Sequence, residues 1–163
     1  MFKSFFLLLF CIEFLSANST VIGRYDRIDL PQLKLKNLRV KVDTGAKTSS
    51  LHCMYIKKTV DGKVEFDVLD KTHEKYKDQK YIMPIKRIAS VRSSNGMVEK
   101  RYVISTEVII FGKSYDVEFT LRDRKKMSYP ILLGREFLEK DFIVDVRKKN
   151  LSFIQKNKKW EKH

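Results

Sequence analysis

The chain has 163 residues, 43% of them apolar, enough to bury one hydrophobic core but hardly two. Lysine and arginine number 34 against 20 acids, a formal net charge of +14, which favours anionic surroundings such as nucleic acid, phospholipid, cell-wall polymer or acidic peptide. No Gly-x-x-x-x-Gly-Lys phosphate loop, His-Glu-x-x-His zinc motif, zinc finger or RNP-like aromatic motif occurs, so nucleotide, zinc and nucleic-acid chemistry have no motif behind them.

The chain opens on Met1-Phe2-Lys3, an apolar run over residues 5–12, and Phe14-Leu15-Ser16-Ala17. A basic start, a short hydrophobic stretch and small residues at its end predict a signal peptide over residues 1–17, cut after Ala17. The run is too short to span a bilayer and Glu13 interrupts it. An exported, periplasmic protein without stable membrane insertion is expected; the alternative is an uncleaved N-terminal anchor. Cys11 follows Leu8-Leu9-Phe10, a poor lipidation context. Its loss with the leader leaves Cys53 alone, so no internal disulfide can form, and Cys53 reads as a small buried apolar side chain. The leader carries Lys3 and Glu13, so its removal keeps the charge at +14. The remaining chain divides into a folded domain over 18–155 and a solvated basic tail over 156–163.

Within the domain, Leu38, Val40 and Val42 alternate with polar residues and predict a half-buried strand. It delivers Asp43 into the tight turn Asp43-Thr44-Gly45-Ala46, where Gly45 can take a backbone conformation other residues avoid. Asp61-Gly62 then separates apolar segments 55–60 and 64–69, and Asn95-Gly96 separates 88–92 from 98–104. Both dipeptides suit hairpins. Between them, the charged stretch 71–80 reads as a solvated loop or as a rim for an acidic substrate. Gly112-Lys113 divides 107–111 from 115–121, with Tyr115, Val117, Phe119 and Leu121 on one face. Tyr129-Pro130-Ile131-Leu132-Leu133 leads into Gly134-Arg135, and 134–140 is the single segment that looks helical. Strands at 142–146 and 151–154, joined by a basic turn, complete a closed or sandwich-like β domain.

An apolar strand ending in Gly134-Arg135, downstream of Asp43-Thr44-Gly45-Ala46, resembles the retropepsin-like aspartic proteases. The resemblance covers roughly residues 38–146. More narrowly, the chain is similar to the bacterial branch labelled ATP-dependent zinc proteases, which is associated with a glutamate-ligase partner. The resemblance implies an all-β, retropepsin-like closed β-barrel (the acid protease fold) with one short C-terminal helix. It makes Asp43 the catalytic carboxylate and gives Thr44 a hydrogen bond across a dimer. Gly45 and Ala46 would leave room beside the site, and Ser94, Asn95 and Gly96 would tip a mobile flap. Leu133 and Gly134 would pass under the catalytic turn. Arg135 would anchor the following helix, or else touch substrate.

Aspartic proteases need two carboxylates that share one proton across a bound water, and neither metal nor cofactor. The chain holds one Asp-Thr-Gly. Asp67 and Asp116 lack that turn, and Asp145 is followed by Val146-Arg147 where glycine is needed. The second carboxylate should therefore be Asp43 of another copy in a C2 homodimer. The substrate would be a peptide or protein, acidic or glutamate-bearing by association with the ligase and by the basic clusters at 71–80, at Arg92, Lys100 and Arg101, and at 122–126. Two further readings remain open: a non-catalytic peptide-binding module on the same fold, and a zinc-dependent hydrolase. For the latter, His52, Cys53 and His73 are the available soft ligands, but neighbours on a strand point to opposite faces.

Overall fold

The computed structural model describes residues 19–92 and 96–160. The leader expected over 1–17, and Ser94 and Asn95 of the expected flap, lie outside the described residues. The elements run β1 (Thr20–Gly23), β2 (Tyr25–Leu30), a 3-10 turn (Pro31–Leu33), β3 (Leu35–Val42), β4 (Ser49–Lys58), β5 (Lys63–Val68) and β6 (Lys80–Pro84). They continue as β7 (Arg87–Arg92), β8 (Val98–Ile110), β9 (Lys113–Arg122), β10 (Ile131–Leu133), α1 (Arg135–Leu138), β11 (Phe142–Asp145) and α2 (Leu151–Trp160).

Six strands close on themselves in the order β10-β3-β2-β8-β9-β4, because β10 pairs in parallel with β3 and antiparallel with β4. The barrel expected from the sequence is the one observed. Its interior is filled by the alternate residues of each strand: Leu38, Val40 and Val42 from β3, and Val117, Phe119 and Leu121 from β9. Cys53 is fully buried among them. β5 and β6 extend the sheet from β4, and β7 pairs with the outer half of β8 to make a projecting hairpin. β1 and β11 form a separate two-stranded parallel sheet.

The turns follow local chemistry. Gly62 and Gly96 adopt positive φ angles of 79° and 84°, as hairpin glycines do. The β8–β9 connection uses Phe111 and Gly112, both with positive φ, one residue earlier than the expected Gly112-Lys113. Positive φ at both central positions is the primed turn whose twist matches paired strands.

The expected strand over 151–154 is instead the start of α2, and the boundary drawn at 155 falls inside that helix. The cause lies far upstream. Buried Asp26, on β2, accepts the first-turn helix N–H groups of Ser152 (2.9 Å) and Phe153 (3.2 Å). A distant carboxylate thus does the work of a local N-cap. Burial pushes the Asp26 carboxyl above its ordinary pKa, against the lowering effect of these N–H donors. Further along the helix, Lys156 is tied to Asp29 (2.8 Å) and to Asn37 (3.0 Å), so this position is docked on the barrel. Removing the cap by Asp26→Ala should cost about 2 kcal/mol, the scale of a lost cap in a buried setting. Urea unfolding checks this; a midpoint equal to that of the native chain would contradict it.

Candidate active site

β3 carries the chain to Val42, where pairing with β2 ends and the backbone enters the Asp43 turn. The turn is held from below. Asp43 N–H donates to Leu133 O (3.0 Å), Arg135 N–H to Ala46 O (2.9 Å) and Glu136 N–H to Lys47 O (3.0 Å). The end of β10 and the start of α1 therefore grip the turn along its length. Gly134 permits this approach, since a Cβ there would lie 2.8 Å from Lys47 O and from Thr48 C. Its N–H donates to Ser49 Oγ (3.1 Å).

Arg135 reaches back over the same turn. Its Nη1 donates to Thr44 O (2.9 Å) and Gly45 O (3.0 Å), so the guanidinium braces the turn itself. The Asp43 carboxylate is oriented from within, its Oδ1 accepting the Gly45 N–H at 3.0 Å. Gly45 is not left-handed, which corrects the reason expected for glycine there. A Cβ at Gly45 would instead stand 3.2 Å from Asp43 Oδ1, so a glycine keeps that oxygen clear. Asp43 and Ala46 are half-buried while Thr44 and Gly45 are exposed.

The turn forms one wall of a cleft of about 1410 Å³, with the β7–β8 hairpin and the 123–130 connection as the others. Among the described residues, its lining holds eight lysines or arginines and two acids, Asp43 and Glu99. Glu99 is committed to Arg101 (2.7 Å) and Arg122 (3.6 Å). Burial, with repulsion from Arg122 and Arg101, pulls the Arg124 guanidinium below the ordinary arginine pKa, and Asp43 opposes that shift. Gly96 precedes Met97 and Val98, which line the cleft from the start of β8. No residue of the 71–80 stretch lines the cleft; it connects β5 to β6, with Lys80 opening β6, and Lys77 bonds to Lys34 O.

Asp145, one of the other acids weighed in the sequence, is bound by Arg147 through two guanidinium bonds of 3.0 Å, which hold its carboxyl down at about 2. His52 is a buried core residue. Its Nε2 meets Asp70 Oδ2 at 2.8 Å and its Nδ1 accepts the Arg124 N–H at 2.8 Å. His73 uses its Nδ1 on the Lys75 N–H (3.1 Å). Among the described residues, no three His, Cys, Asp or Glu side chains cluster closely enough to hold a metal ion.

The His52–Asp70 pair was not legible as a contact, because its members are 18 residues apart across a hairpin. Asp70 also accepts the Thr72 hydroxyl at 2.5 Å. That bond, helped by His52, holds its carboxyl well below the ordinary aspartate range. A depressed acid contributes stability above its unfolded pKa and loses it as the solution is acidified past that point. Asp70→Asn should therefore flatten the fall in stability below about pH 4. Denaturation midpoints across that range check the point, and parallel acid limbs would contradict it.

Comparison with known proteins agrees with this geometry. A family model described as the retropepsin-like aspartic endopeptidase RimB matches residues 21–158. Proteins named probable alpha-L-glutamate ligase are similar over most of the chain. The one from Shewanella halifaxensis is 33% identical over 138 residues, covering 80% of this chain and 29% of its own length. The one from Parasynechococcus marenigrum is 32% identical over 132 residues, covering 77% and 28%. The chain thus spans under a third of these curated relatives. A solved Legionella pneumophila protein of unknown function superposes with a TM-score of 0.67 at 26% identity, covering 82% of this chain and 98% of that one. The chain belongs to the RimB-like family of retropepsin-like aspartic endopeptidases.

Proposed function

We propose that this member of the RimB-like family is a homodimeric aspartic endopeptidase acting on acidic, glutamate-bearing peptides. The observation that carries the reading is the Asp43 turn. Each of its carbonyls from Asp43 to Lys47 accepts a hydrogen bond, it opens on a large cleft, and it has no uncommitted acid beside it among the described lining residues, since Glu99 is held by two arginines. A second copy would bring its own Asp43 to the two-fold axis, and exposed Thr44 and Gly45 are suited to meeting that partner turn.

In such a pair, like charges at close range keep one proton between them. The ionised Asp43 takes a proton from a bound water as that water attacks the scissile carbonyl carbon. The protonated Asp43 gives its proton to the carbonyl oxygen, leaving a tetrahedral diol. Collapse returns a proton to the departing amine and restores the shared-proton pair. Activity should therefore require both carboxylates and the one proton they share.

The excess of lysine and arginine in the cleft supports an acidic substrate, as does the glutamate-ligase name of longer relatives. That name also favours a second reading, a peptide-binding module that presents glutamate-rich chains without cutting them. A zinc-dependent hydrolase is the third reading; it requires activity that a chelator abolishes and zinc restores. Peptide-library cleavage by the native chain tests the first reading against the others. If charge in the cleft steers substrate, cleavage of acidic peptides should fall several-fold as added salt shortens the Debye length from roughly 8 Å, while neutral peptides are unaffected. Parallel salt curves would leave the basic lining without a part in specificity.

A further inference from the structure

We propose that His52 is a positioning residue: its unprotonated Nδ1 anchors the 123–130 connection, and with it Arg124, against the cleft that holds Asp43. The proton accounting follows from the partners. The Arg124 backbone N–H can only donate, so Nδ1, 2.8 Å away, must be an acceptor. The single proton of the neutral ring then sits on Nε2 and is donated to Asp70 Oδ2 at 2.8 Å. Asp70, ionised and fixed by Thr72, selects that tautomer. His52 also donates its backbone N–H to Pro130 O (2.8 Å), so one residue of β4 fastens both ends of the connection. That connection supplies Arg124, Met127, Ser128 and Tyr129 to the cleft wall.

The arrangement contains its own alternative. Asp123 Oδ1 lies 3.8 Å from His52 Nδ1. A proton on Nδ1 would set that N–H against the Arg124 N–H, which cannot accept it. The charged and titratable groups facing His52 are Asp70 after β5, His73 in the following loop, and Asp123 and Arg124 after β9.

The consequence for substrate rests on the peptidase reading; the geometry does not. Nitrogen-15 imidazole spectra of the full native chain at neutral pH should give His52 as the Nε2–H tautomer. The Arg124 amide signal should shift in His52→Gln and return toward its native position in His52→Asn. His52→Asn keeps an acceptor near the Nδ1 position, whereas His52→Gln keeps a donor toward Asp70 and loses that acceptor. His52→Gln should raise KM for an acidic peptide about tenfold with kcat nearly unchanged, the scale of one misplaced charge-assisted contact, and His52→Asn should restore KM. An Nδ1–H tautomer in the native chain, or an Arg124 amide signal unchanged in His52→Gln, would overturn the proposal. Equal KM values for the Gln variant and the native chain would do the same. If the native chain cuts no peptide, the peptidase reading fails, and the tautomer and amide measurements still decide the role of His52.

Discussion

Asp43→Asn is expected to lower peptide cleavage by a thousandfold or more, about 4 kcal/mol of transition-state stabilisation, while leaving the barrel intact. The side chain keeps its size, and the amide oxygen can still accept the Gly45 N–H that orients Oδ1 at 3.0 Å. What is lost is the ability to take and return a proton, which the paired-carboxylate chemistry requires at each turnover. The backbone bonds of Asp43 to Leu133 and of Ala46 to Arg135 do not involve the carboxylate, so the turn should hold its shape. Unfolding midpoints that match the native chain, together with lost cleavage, are the expected pair of results. Cleavage at the native rate would remove Asp43 from the chemistry.

Gly134→Ala should destabilise the protein by about 3 kcal/mol, at the upper end of ordinary overpacking. The backbone there is extended, with φ −93° and ψ 177°, so alanine meets no conformational penalty. The cost is contact alone, because the added Cβ would stand 2.8 Å from Lys47 O and Thr48 C, both backbone atoms with no side chain to swing aside. Relief requires moving β10 away from the Asp43 turn, which breaks the grip of Arg135 and Glu136 on Ala46 and Lys47. Activity should therefore fall along with stability. Gly45→Ala offers the contrast: its Cβ would press only on Asp43 Oδ1, at 3.2 Å, and should harm cleavage more than folding. Urea denaturation of the two variants separates the cases, and equal stabilities would contradict the account of Gly134.

The sequence made the barrel legible because period-two alternation and glycine turns are local signals. Leu38, Val40 and Val42 announce β3, and its last residue places Asp43 at the strand end without any knowledge of the fold. The partner element was equally readable from Leu133-Gly134-Arg135. What escaped notice depends on contacts between distant residues. The α2 segment carries leucine, phenylalanine and isoleucine in a run short enough to pass for a strand, and its cap is Asp26, 126 residues from Ser152. Arg135 faces the turn through backbone oxygens of Thr44 and Gly45, some 90 residues earlier, so its brace could not be told from an anchor on α1. In the sequence His52 offers itself only as a soft ligand; its distances to Asp70 and Arg124 reveal what it holds.

The pairing of two Asp43 carboxylates is tested most directly by mixing native chain with the Asp43→Asn chain under conditions where mass spectrometry confirms subunit exchange. If each active site needs one Asp43 from each copy, mixed dimers are dead. Adding an equal amount of variant to a fixed amount of native chain should then cut cleavage to about half, by random pairing in a two-fold dimer. Cleavage that stays at its starting value while exchange proceeds would mean that one chain carries a complete site, and would contradict the paired-carboxylate mechanism.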